Sequence, residues 1–131
     1  ITGRIKDIFK TSKGKYVAPN PIEMKLSKSS FIEQVCVVGE NLTQPIALVI
    51  LGEGKKIASE IKNSFEELMS SINNQLEKHE RIKKIVILKD SWSTENNFLT
   101  PTLKIKRNII DEKYKKFYEA WFDSENKIVF Q

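Results

Sequence analysis

The chain has 131 residues, of which 40% are apolar and 30% are charged. This length predicts one domain with a single hydrophobic core, and the composition excludes an intrinsically disordered chain. No apolar run reaches the length of a membrane span. The single cysteine, Cys36, excludes an internal disulfide framework. Its place in the apolar run VCVV predicts a buried side chain and a reducing, intracellular compartment.

The net charge of +5 is concentrated in two basic blocks. Residues 1–15 carry five basic side chains against one acidic side chain, and residues 101–117 carry six against two. The rest of the chain is therefore slightly acidic. Two local blocks of positive charge predict a local anionic partner rather than general basicity.

Apolar periodicity predicts a mixture of strands and helices along the chain. In chain order we predict a hairpin with strands at 4–11 and 15–18, a helix at about 21–29, strands at 31–40 and 47–52, a helical region at 55–78, a strand at 82–89, an extended segment at 99–107, a helix at 108–122 and a short strand at 128–130. Asn20 and Pro21 predict the N-cap and the first residue of the first helix. Because these elements do not alternate strictly, we expect an α+β fold. It would be a small layered domain with an N-terminal β-hairpin, a central sheet of about three strands and packed helices.

The helical region at 55–78 has the most regular pattern. Its apolar positions are spaced 4, 4, 3, 4 and 4 residues apart, at Ile57, Ile61, Phe65, Leu68, Ile72 and Leu76. One unbroken helix would span roughly 35 Å, which is long for a domain with an expected radius of gyration of roughly 14 Å. The sequence SFEE at 64–67 also matches a capping box. We therefore predict two helices that meet near Asn63.

The residue sets that carry most enzyme chemistry are missing from the sequence. His79 is the one histidine, so we predict no metal site and interpret His79 as a solvated side chain at a helix end. The stretch LGEGKK lacks the spacing and the Ser or Thr of a phosphate-binding P-loop. Nothing resembles a Ser-His-Asp triad.

The two basic blocks are the remaining candidates for a site. Lys13-Gly14-Lys15 lies at a predicted turn, where backbone N–H groups and ammonium groups can meet phosphate oxygens. In TPTLKIKR, alternation places Leu103 and Ile105 towards the core and holds Lys104 outwards. A lysine held in this way is a fixed positive charge for a reacting phosphoryl or carboxylate group. The pattern alone favours a simpler interpretation, which is a solvated, lysine-rich surface.

Two motifs, about a hundred residues apart, resemble those of a known family. GRIKDIFKTSKGKYVAPNPIE is similar to the hinge-and-hairpin motif of the acyl-adenylate-forming enzymes. LTPTLKIKR resembles their C-terminal catalytic-lysine motif, in the form found in long-chain fatty acyl-CoA synthetases. The resemblance covers essentially the whole chain. It implies that residues 1–131 are the mobile C-terminal domain of such an enzyme, with its hinge at about residue 6, which agrees with a sequence that begins in mid-motif.

The hinge-and-hairpin resemblance implies contacts with nucleotide and with coenzyme A. Arg4 would reach the ribose and phosphate region of the adenylate, and Lys6 would be the hinge. Gly14 would line the tunnel for the pantetheine arm of coenzyme A, with Lys13 and Lys15 beside it. ATP with Mg²⁺ and coenzyme A would be substrates, bound mainly by a large N-terminal domain.

The lysine-motif resemblance implies two half-reactions. Lys104 would be the catalytic lysine, and Arg107 would complete the Lys-x-x-Arg spacing. A long-chain fatty acid and ATP would form acyl-AMP, and rotation of the small domain would then allow coenzyme A to form the thioester. The chain alone would be inactive and would need its own N-terminal domain. We expect a cytoplasmic enzyme and leave open a peripheral membrane contact of the complete protein.

Three alternatives stay open at this stage. The acceptor can be acyl carrier protein, or there can be none, as in an acyl-ACP synthetase or a fatty acyl-AMP ligase. The chain can instead be a nucleic-acid-binding module that uses both basic blocks. We predict no nucleic-acid partner, because four aromatic residues read as core or loop anchors rather than as a stacking platform: Trp92, Tyr114, Phe117 and Trp121. A degenerate domain kept as an interaction surface is the third alternative, and the intact motif residues argue against it.

Overall fold

The computed structural model describes residues 8–29, 31–52, 58–89, 92–102 and 104–130. The elements in these ranges are β1 (Phe9–Lys10), β2 (Tyr16–Val17), α1 (Pro19–Leu26), β3 (Ile32–Val38), β4 (Ile46–Leu51), α2 (Ala58–Asn73), β5 (Lys84–Ile87), α3 (Arg107–Tyr114), α4 (Tyr118–Phe122) and β6 (Ile128–Phe130). Short 3₁₀ turns occur at Lys78–Glu80 and Lys115–Phe117. The small α+β fold is confirmed.

The central sheet has the strand order β3-β4-β5-β6. Strands β3 and β4 are antiparallel, with Cys36 opposite Leu48, whereas β4, β5 and β6 run parallel to one another. The sheet has four strands in the described residues rather than about three, because the short terminal strand pairs with β5. The nearly continuous apolar runs of β4 and β5 are typical of parallel strands that are covered on both faces.

Helices cover both faces of the sheet. Successive side chains of a strand point to opposite faces, so each face has its own cluster of buried residues. The first core, which we call the α1–α2 cluster, includes Ile22, Leu26, Val35, Val37, Phe65 and Ile72. The second core, the α3–α4 cluster, includes Cys36, Val38, Phe98, Ile110, Tyr114 and Trp121. Cys36 is fully buried in the second cluster, as predicted.

The predicted break near Asn63 is wrong. Helix α2 runs without interruption through this residue and ends at Asn73, whose side-chain amide exchanges two hydrogen bonds with the backbone of Ile82, at 2.8 and 3.0 Å. Sixteen residues span roughly 24 Å, a length that one sheet can cover, and the apolar stripe from Ile61 to Ile72 faces the α1–α2 cluster. The predicted positions 55–57 lie outside the described residues.

The boundaries of α1 also differ from the prediction. The helix begins at Pro19, and Ala18 occupies the N-cap position without a side-chain cap. Asn20 is therefore not the N-cap. It lies in the first turn, where its amide donates a hydrogen bond of 3.3 Å to the Glu23 carboxylate. Pro19 supplies the fixed backbone angle that Pro21 was expected to supply.

The predicted helix at 108–122 is divided into α3 and α4 by the 3₁₀ turn at Lys115–Phe117. Tyr114, Tyr118 and Trp121 are all buried in the α3–α4 cluster. None of the helices in the part of the chain that the structure describes is long and apolar enough to cross a membrane.

Candidate functional site

Lys104 lies in a tight loop formed by residues 98–106, which we call the lysine loop. The backbone N–H of Thr100 donates to the carbonyl of Lys104 at 2.8 Å, and the N–H of Lys104 donates to Oγ1 of Thr100 at 3.1 Å. These two bonds close the turn that contains Pro101. The lysine loop is therefore a small hairpin, and the extended segment predicted over 99–107 is wrong because the chain turns back on itself after Thr100.

The base of the lysine loop is fixed to the core. Leu99 and Ile105 form an isolated antiparallel bridge, and the N–H of Lys106 donates to the carbonyl of Phe98 at 2.8 Å. Phe98 and Leu99 are buried in the α3–α4 cluster. Ile105 packs against that cluster but is only half-buried, and Leu103 lies outside the described residues. The loop is tied both internally and at its base.

The side chain of Lys104 is exposed, and no residue in the described ranges pairs with its ammonium group. Neighbouring cations of the same basic block are engaged. The ammonium group of Lys106 donates to Oδ1 of Asn97 at 2.6 Å, and that of Lys113 lies 5.1 Å from the centre of the Phe98 ring. Lys104 thus presents a positive charge at the closing end of the turn in this fixed loop. Its catalytic role stays a prediction.

Arg107 has a different environment from Lys104. It is the first residue of α3, and its guanidinium group forms a buried, bidentate ion pair with Glu23 of α1, with N–O distances of 2.7 and 3.1 Å. Nη1 also donates to the carbonyl of Val37 at 2.8 Å and contacts Sγ of Cys36 at 3.1 Å. Arg107, assigned to the lysine motif by resemblance, is held inside the domain by contacts with α1 and β3.

The second candidate segment is the hairpin of β1 and β2. Gly14 has a φ of +82° in the turn between the strands, a conformation that favours glycine. Its N–H donates to the carbonyl of Thr11 at 3.0 Å, and the N–H of Thr11 donates to the carbonyl of Lys15 at 2.8 Å. Lys13 and Lys15 are exposed beside the turn. The turn lies where the sequence predicts it, although both strands are only two residues long.

The hairpin is attached to the segment that joins β3 and β4. The N–H of Ser12 donates to the carbonyl of Leu42 at 2.9 Å, and the N–H of Asn41 donates to the carbonyl of Lys10 at 3.2 Å. Phe9 is buried in the α1–α2 cluster. These contacts hold the hairpin independently of the lysine loop. The predicted nucleotide contact Arg4 and the predicted hinge Lys6 lie outside the described residues.

A cleft of about 430 Å³ lies between the base of the hairpin and the lysine loop. Its lining includes Phe9, Glu40, Thr100, Lys106, Arg107 and Asp111. Burial raises the pKa of the Asp111 carboxyl group, although a hydrogen bond from Tyr118 opposes this effect. The cleft brings residues of both predicted motifs to one side of the domain, while Gly14 and Lys104 stand outside its lining.

Glu23 is the residue of this region that the sequence analysis missed. In the sequence it is only the last residue of the segment GRIKDIFKTSKGKYVAPNPIE, and no role was predicted for it. The signal that points to it is its position between Ile22 and Leu26, both fully buried, because a carboxylate on a buried helix face needs a partner. The partner is 84 positions away in the sequence and cannot be read from local spacing.

Curated proteins that are similar to this chain include ligases of long-chain fatty acids. The chain is 34% identical to a long-chain-fatty-acid–CoA ligase 5 of Rattus norvegicus, with 92% of this chain and 21% of the relative covered. It is 30% identical to a chloroplastic long-chain-fatty-acid–[acyl-carrier-protein] ligase of Arabidopsis thaliana, with 88% and 17% covered. The chain therefore spans about a fifth of the length of these relatives.

Solved structures show the same fold. The adenylation domain of a carboxylate reductase from Mycobacterium chelonae matches with a TM-score of 0.80 at 18% identity, over 94% of this chain and 20% of that one. The A domain of a carboxylic acid reductase from Segniliparus rugosus, in complex with AMP and a carboxylic acid, matches with a TM-score of 0.75 at 23% identity, over 91% and 20%. The family model of the AMP-binding enzyme C-terminal domain matches residues 6–126, and the chain belongs to this family.

Proposed function

We propose that this chain is the C-terminal domain of a long-chain fatty acid–CoA ligase and that Lys104 serves its adenylation step. The observation that carries the proposal is the exposed Lys104 at the closing end of an internally bonded turn, in a chain of the AMP-binding enzyme family. The names of the curated relatives support a fatty acid as the acid that is activated. The large domain that completes the site would be this chain's main partner.

In the adenylation step, an oxygen of the fatty acid carboxylate attacks the α-phosphorus of ATP. A new O–P bond forms, the bond to pyrophosphate breaks, and acyl-AMP results. Both reactants are anionic, so a fixed ammonium group between them offsets their repulsion and stabilises the charge of the transition state. Lys104 would supply that group. Its exposure allows it to enter a site built by another domain, and the bonds of the loop limit the conformational freedom lost on entry.

We assign no residue of this chain to the Mg²⁺ that accompanies ATP. Within the described ranges, no group of three or more His, Cys, Asp or Glu side chains is placed to hold a metal ion. The metal would come with the substrate phosphates, since Mg²⁺ is usually bound by such phosphates together with one or two carboxylates and several waters.

In the thioester step, the domain would rotate about Lys6 and bring the hairpin turn to the same site. The thiol sulfur of coenzyme A attacks the carbonyl carbon of acyl-AMP and loses its proton to solvent, a C–S bond forms, the bond from that carbon to the phosphate oxygen breaks, and AMP leaves. Gly14 would leave room for the pantetheine arm, because it has no side chain at the tip of the turn. The exposed Lys13 and Lys15 would face the phosphates of coenzyme A.

A second acceptor is supported by one relative, whose name gives acyl carrier protein instead of coenzyme A. Both candidates share the adenylation step. They differ in whether acyl-AMP is consumed by added coenzyme A or by added acyl carrier protein. A complete enzyme that forms acyl-AMP but does not depend on coenzyme A would favour the second candidate.

A nucleic-acid-binding module is not favoured. Trp92, Tyr114 and Trp121 are buried in the α3–α4 cluster, and Phe117, which is partly exposed, stacks against Trp121 with ring centres 5.4 Å apart. These described aromatic side chains anchor the fold and do not form a platform for bases.

The decisive experiment compares Lys104→Ala with the unchanged protein in the complete enzyme that carries this domain. Acyl-AMP formation and thioester formation from supplied acyl-AMP are measured separately. We expect the first rate to fall by at least about 100-fold, because the variant loses a charge aimed at the transition state, and the second to persist. Lys28→Ala is the matched control, since Lys28 is an exposed lysine at the end of α1, outside both motifs. Unchanged acyl-AMP formation in Lys104→Ala would overturn the proposal.

A further inference from the structure

A buried ion pair connects two distant parts of the sequence beside the lysine loop. Glu23 in α1 and Arg107 at the start of α3 are 84 positions apart, and their side chains are 11% and 9% exposed. Two parallel N–H···O bonds join them, at 2.7 and 3.1 Å. Such a bidentate pair is directional, so it fixes the orientation of the guanidinium group as well as its distance.

The pair belongs to a network that includes the sheet. The Glu23 carboxylate also accepts the backbone N–H of Val37 at 2.8 Å and a bond from the Asn20 amide at 3.3 Å. Arg107 donates to the carbonyl of the same Val37 at 2.8 Å. Glu23 and Arg107 together take up both backbone polar groups of one residue in β3. The start of α3 is therefore held against α1 and β3 by bonds made within a buried environment.

The position of Arg107 limits the position of Lys104. Arg107 is three positions after Lys104, so their Cα atoms can be at most roughly 11 Å apart. The other end of the lysine loop is buried through Phe98 and Leu99, and the loop is closed by its own hydrogen bonds. Displacement of Arg107 would consequently pull on residues 104–106 and shift Lys104 relative to Phe98 and Leu99, which stay buried.

The hairpin is fixed by separate contacts. Its bonds to the β3–β4 connection involve Ser12 with Leu42 and Lys10 with Asn41, and none of these residues contacts the Glu23–Arg107 pair through a described hydrogen bond. Loss of the pair should therefore disturb the lysine loop more than the hairpin.

We infer that Glu23 is a positioning residue for Lys104, acting through the buried ion pair with Arg107. This inference rests on the proposed function, because it assumes that Lys104 serves adenylation. Glu23 itself touches no substrate. It holds the guanidinium group that orients the start of α3, and thereby sets where the lysine loop presents its charge.

The test is a double-mutant cycle in the complete enzyme, with Glu23→Gln, Lys104→Ala and the two combined. Glutamine keeps an acceptor for the Val37 N–H but loses the charge that pairs with Arg107. We expect Glu23→Gln to lower kcat for acyl-AMP formation by about 10- to 100-fold, as misplacement of a catalytic group does. The rate of thioester formation from supplied acyl-AMP should change by less than about twofold, because the proposed rotation has removed the lysine loop from the site in that step.

The combined variant separates a positioning role from a structural one. If Glu23 acts through Lys104, the combined variant and Lys104→Ala alone should form acyl-AMP at nearly the same rate. Multiplicative losses, or equal losses in both half-reactions, would overturn the inference. Phe65→Leu is the matched control, because it weakens the α1–α2 cluster without touching the pair, and it should give no selective loss of adenylation.

Two further results are informative. If Glu23→Gln does not give folded enzyme, Arg107→Lys replaces it in the double-mutant cycle. Lysine keeps the positive charge but cannot form the bidentate pair with Glu23. If neither variant folds, the pair serves the fold itself and the inference is wrong. The single variant Lys104→Ala tests the proposed function separately. Normal acyl-AMP formation in Lys104→Ala would show that the proposed function is wrong. Loss of acyl-AMP formation in Lys104→Ala, with normal acyl-AMP formation in Glu23→Gln, would show that only the positioning role is wrong.

Discussion

The hydroxyl group of Tyr118 donates a hydrogen bond of 2.7 Å to Oδ1 of Asp111, across the 3₁₀ turn that separates α3 from α4. Burial raises the pKa of the Asp111 carboxyl group more than the Tyr118 hydrogen bond and the Arg107 charge lower it. Burial and the Asp111 charge also raise the pKa of the Tyr118 phenol, so the phenol remains a donor at neutral pH. The bond thus couples an acid in the cleft to the aromatic core.

Asp111→Asn should stabilise the domain increasingly as the pH rises. The pKa of Asp111 in the folded state is above its unfolded value of about 3.9, so the folded state binds the proton more tightly. The free energy of unfolding therefore falls as the pH rises from about 3.9 through the raised folded pKa, because Asp111 ionises. Asparagine removes this cost and keeps an acceptor for Tyr118. Urea unfolding at pH 4 and pH 7 measures the difference between the variant and the unchanged chain. A difference that does not grow with pH, or that also appears in the control Glu112→Gln, would contradict this explanation.

Gly39→Ala should loosen the attachment of the hairpin. A Cβ atom at this position would lie 2.9 Å from Cα of Pro45 and 3.0 Å from Cε1 of Phe9, so the backbone or a core ring must shift. Overpacking of this kind costs about 1–3 kcal/mol in the free energy of unfolding. Gly52→Ala is the matched control, because its Cβ would meet no described atom within 4 Å. Equal free energies of unfolding for the two variants would show that Phe9 and Pro45 can move to accept the added methyl group without loss of stability.

Gly14→Ala should cost stability because of backbone conformation and not because of crowding. The nearest described atom to a Cβ would be Cε of Lys10 at 3.7 Å, whereas the φ of +82° strains an alanine by about 1–2 kcal/mol. Gly14→Asn should cost less, since asparagine tolerates positive φ. In the complete enzyme both variants should raise KM for coenzyme A, because both add a side chain at the turn. If only the less stable variant has a raised KM, the turn does not line a tunnel.

Lys84→Met should destabilise the domain far more than Lys83→Met. Lys84 is buried, and its ammonium group donates hydrogen bonds to the carbonyls of Ser124 and Asn126, in the segment between α4 and β6. Methionine would leave these carbonyls without that donor, at a cost of about 1–3 kcal/mol. Lys83 is exposed, so its variant loses the same charge without this penalty. Thermal unfolding of both variants provides the measurement, and equal changes in Tm would show that these two hydrogen bonds do not stabilise the domain.

Local pattern was sufficient where a residue's environment depends on its near neighbours. The turn at Gly14, the apolar run around Cys36 and the stripe of α2 all follow from residues within a few positions of each other. The break predicted near Asn63 failed because the length of a helix is decided by the surface it covers. Its own capping signals did not prevail over that packing.

The candidate site depends on contacts that local pattern does not contain. Arg107 was recognised only by its spacing from Lys104, and its burial follows from Glu23, which lies in another element. The reversal of the lysine loop after Thr100 likewise depends on the pairing of Leu99 with Ile105, whereas the alternation of the segment favoured a strand. Tertiary pairing decided between two local structures that the same residues permit.

Both tryptophans of the chain, Trp92 and Trp121, belong to the α3–α4 cluster. Trp92 lies 6.4 Å from Phe98, and Trp121 lies 6.0 Å from Tyr114, measured between ring centres. Intrinsic tryptophan fluorescence will therefore report on one side of the sheet only. A partly unfolded state that has released α1 and α2 but retained α3 and α4 would keep a native-like emission spectrum, and circular dichroism would be needed to detect it.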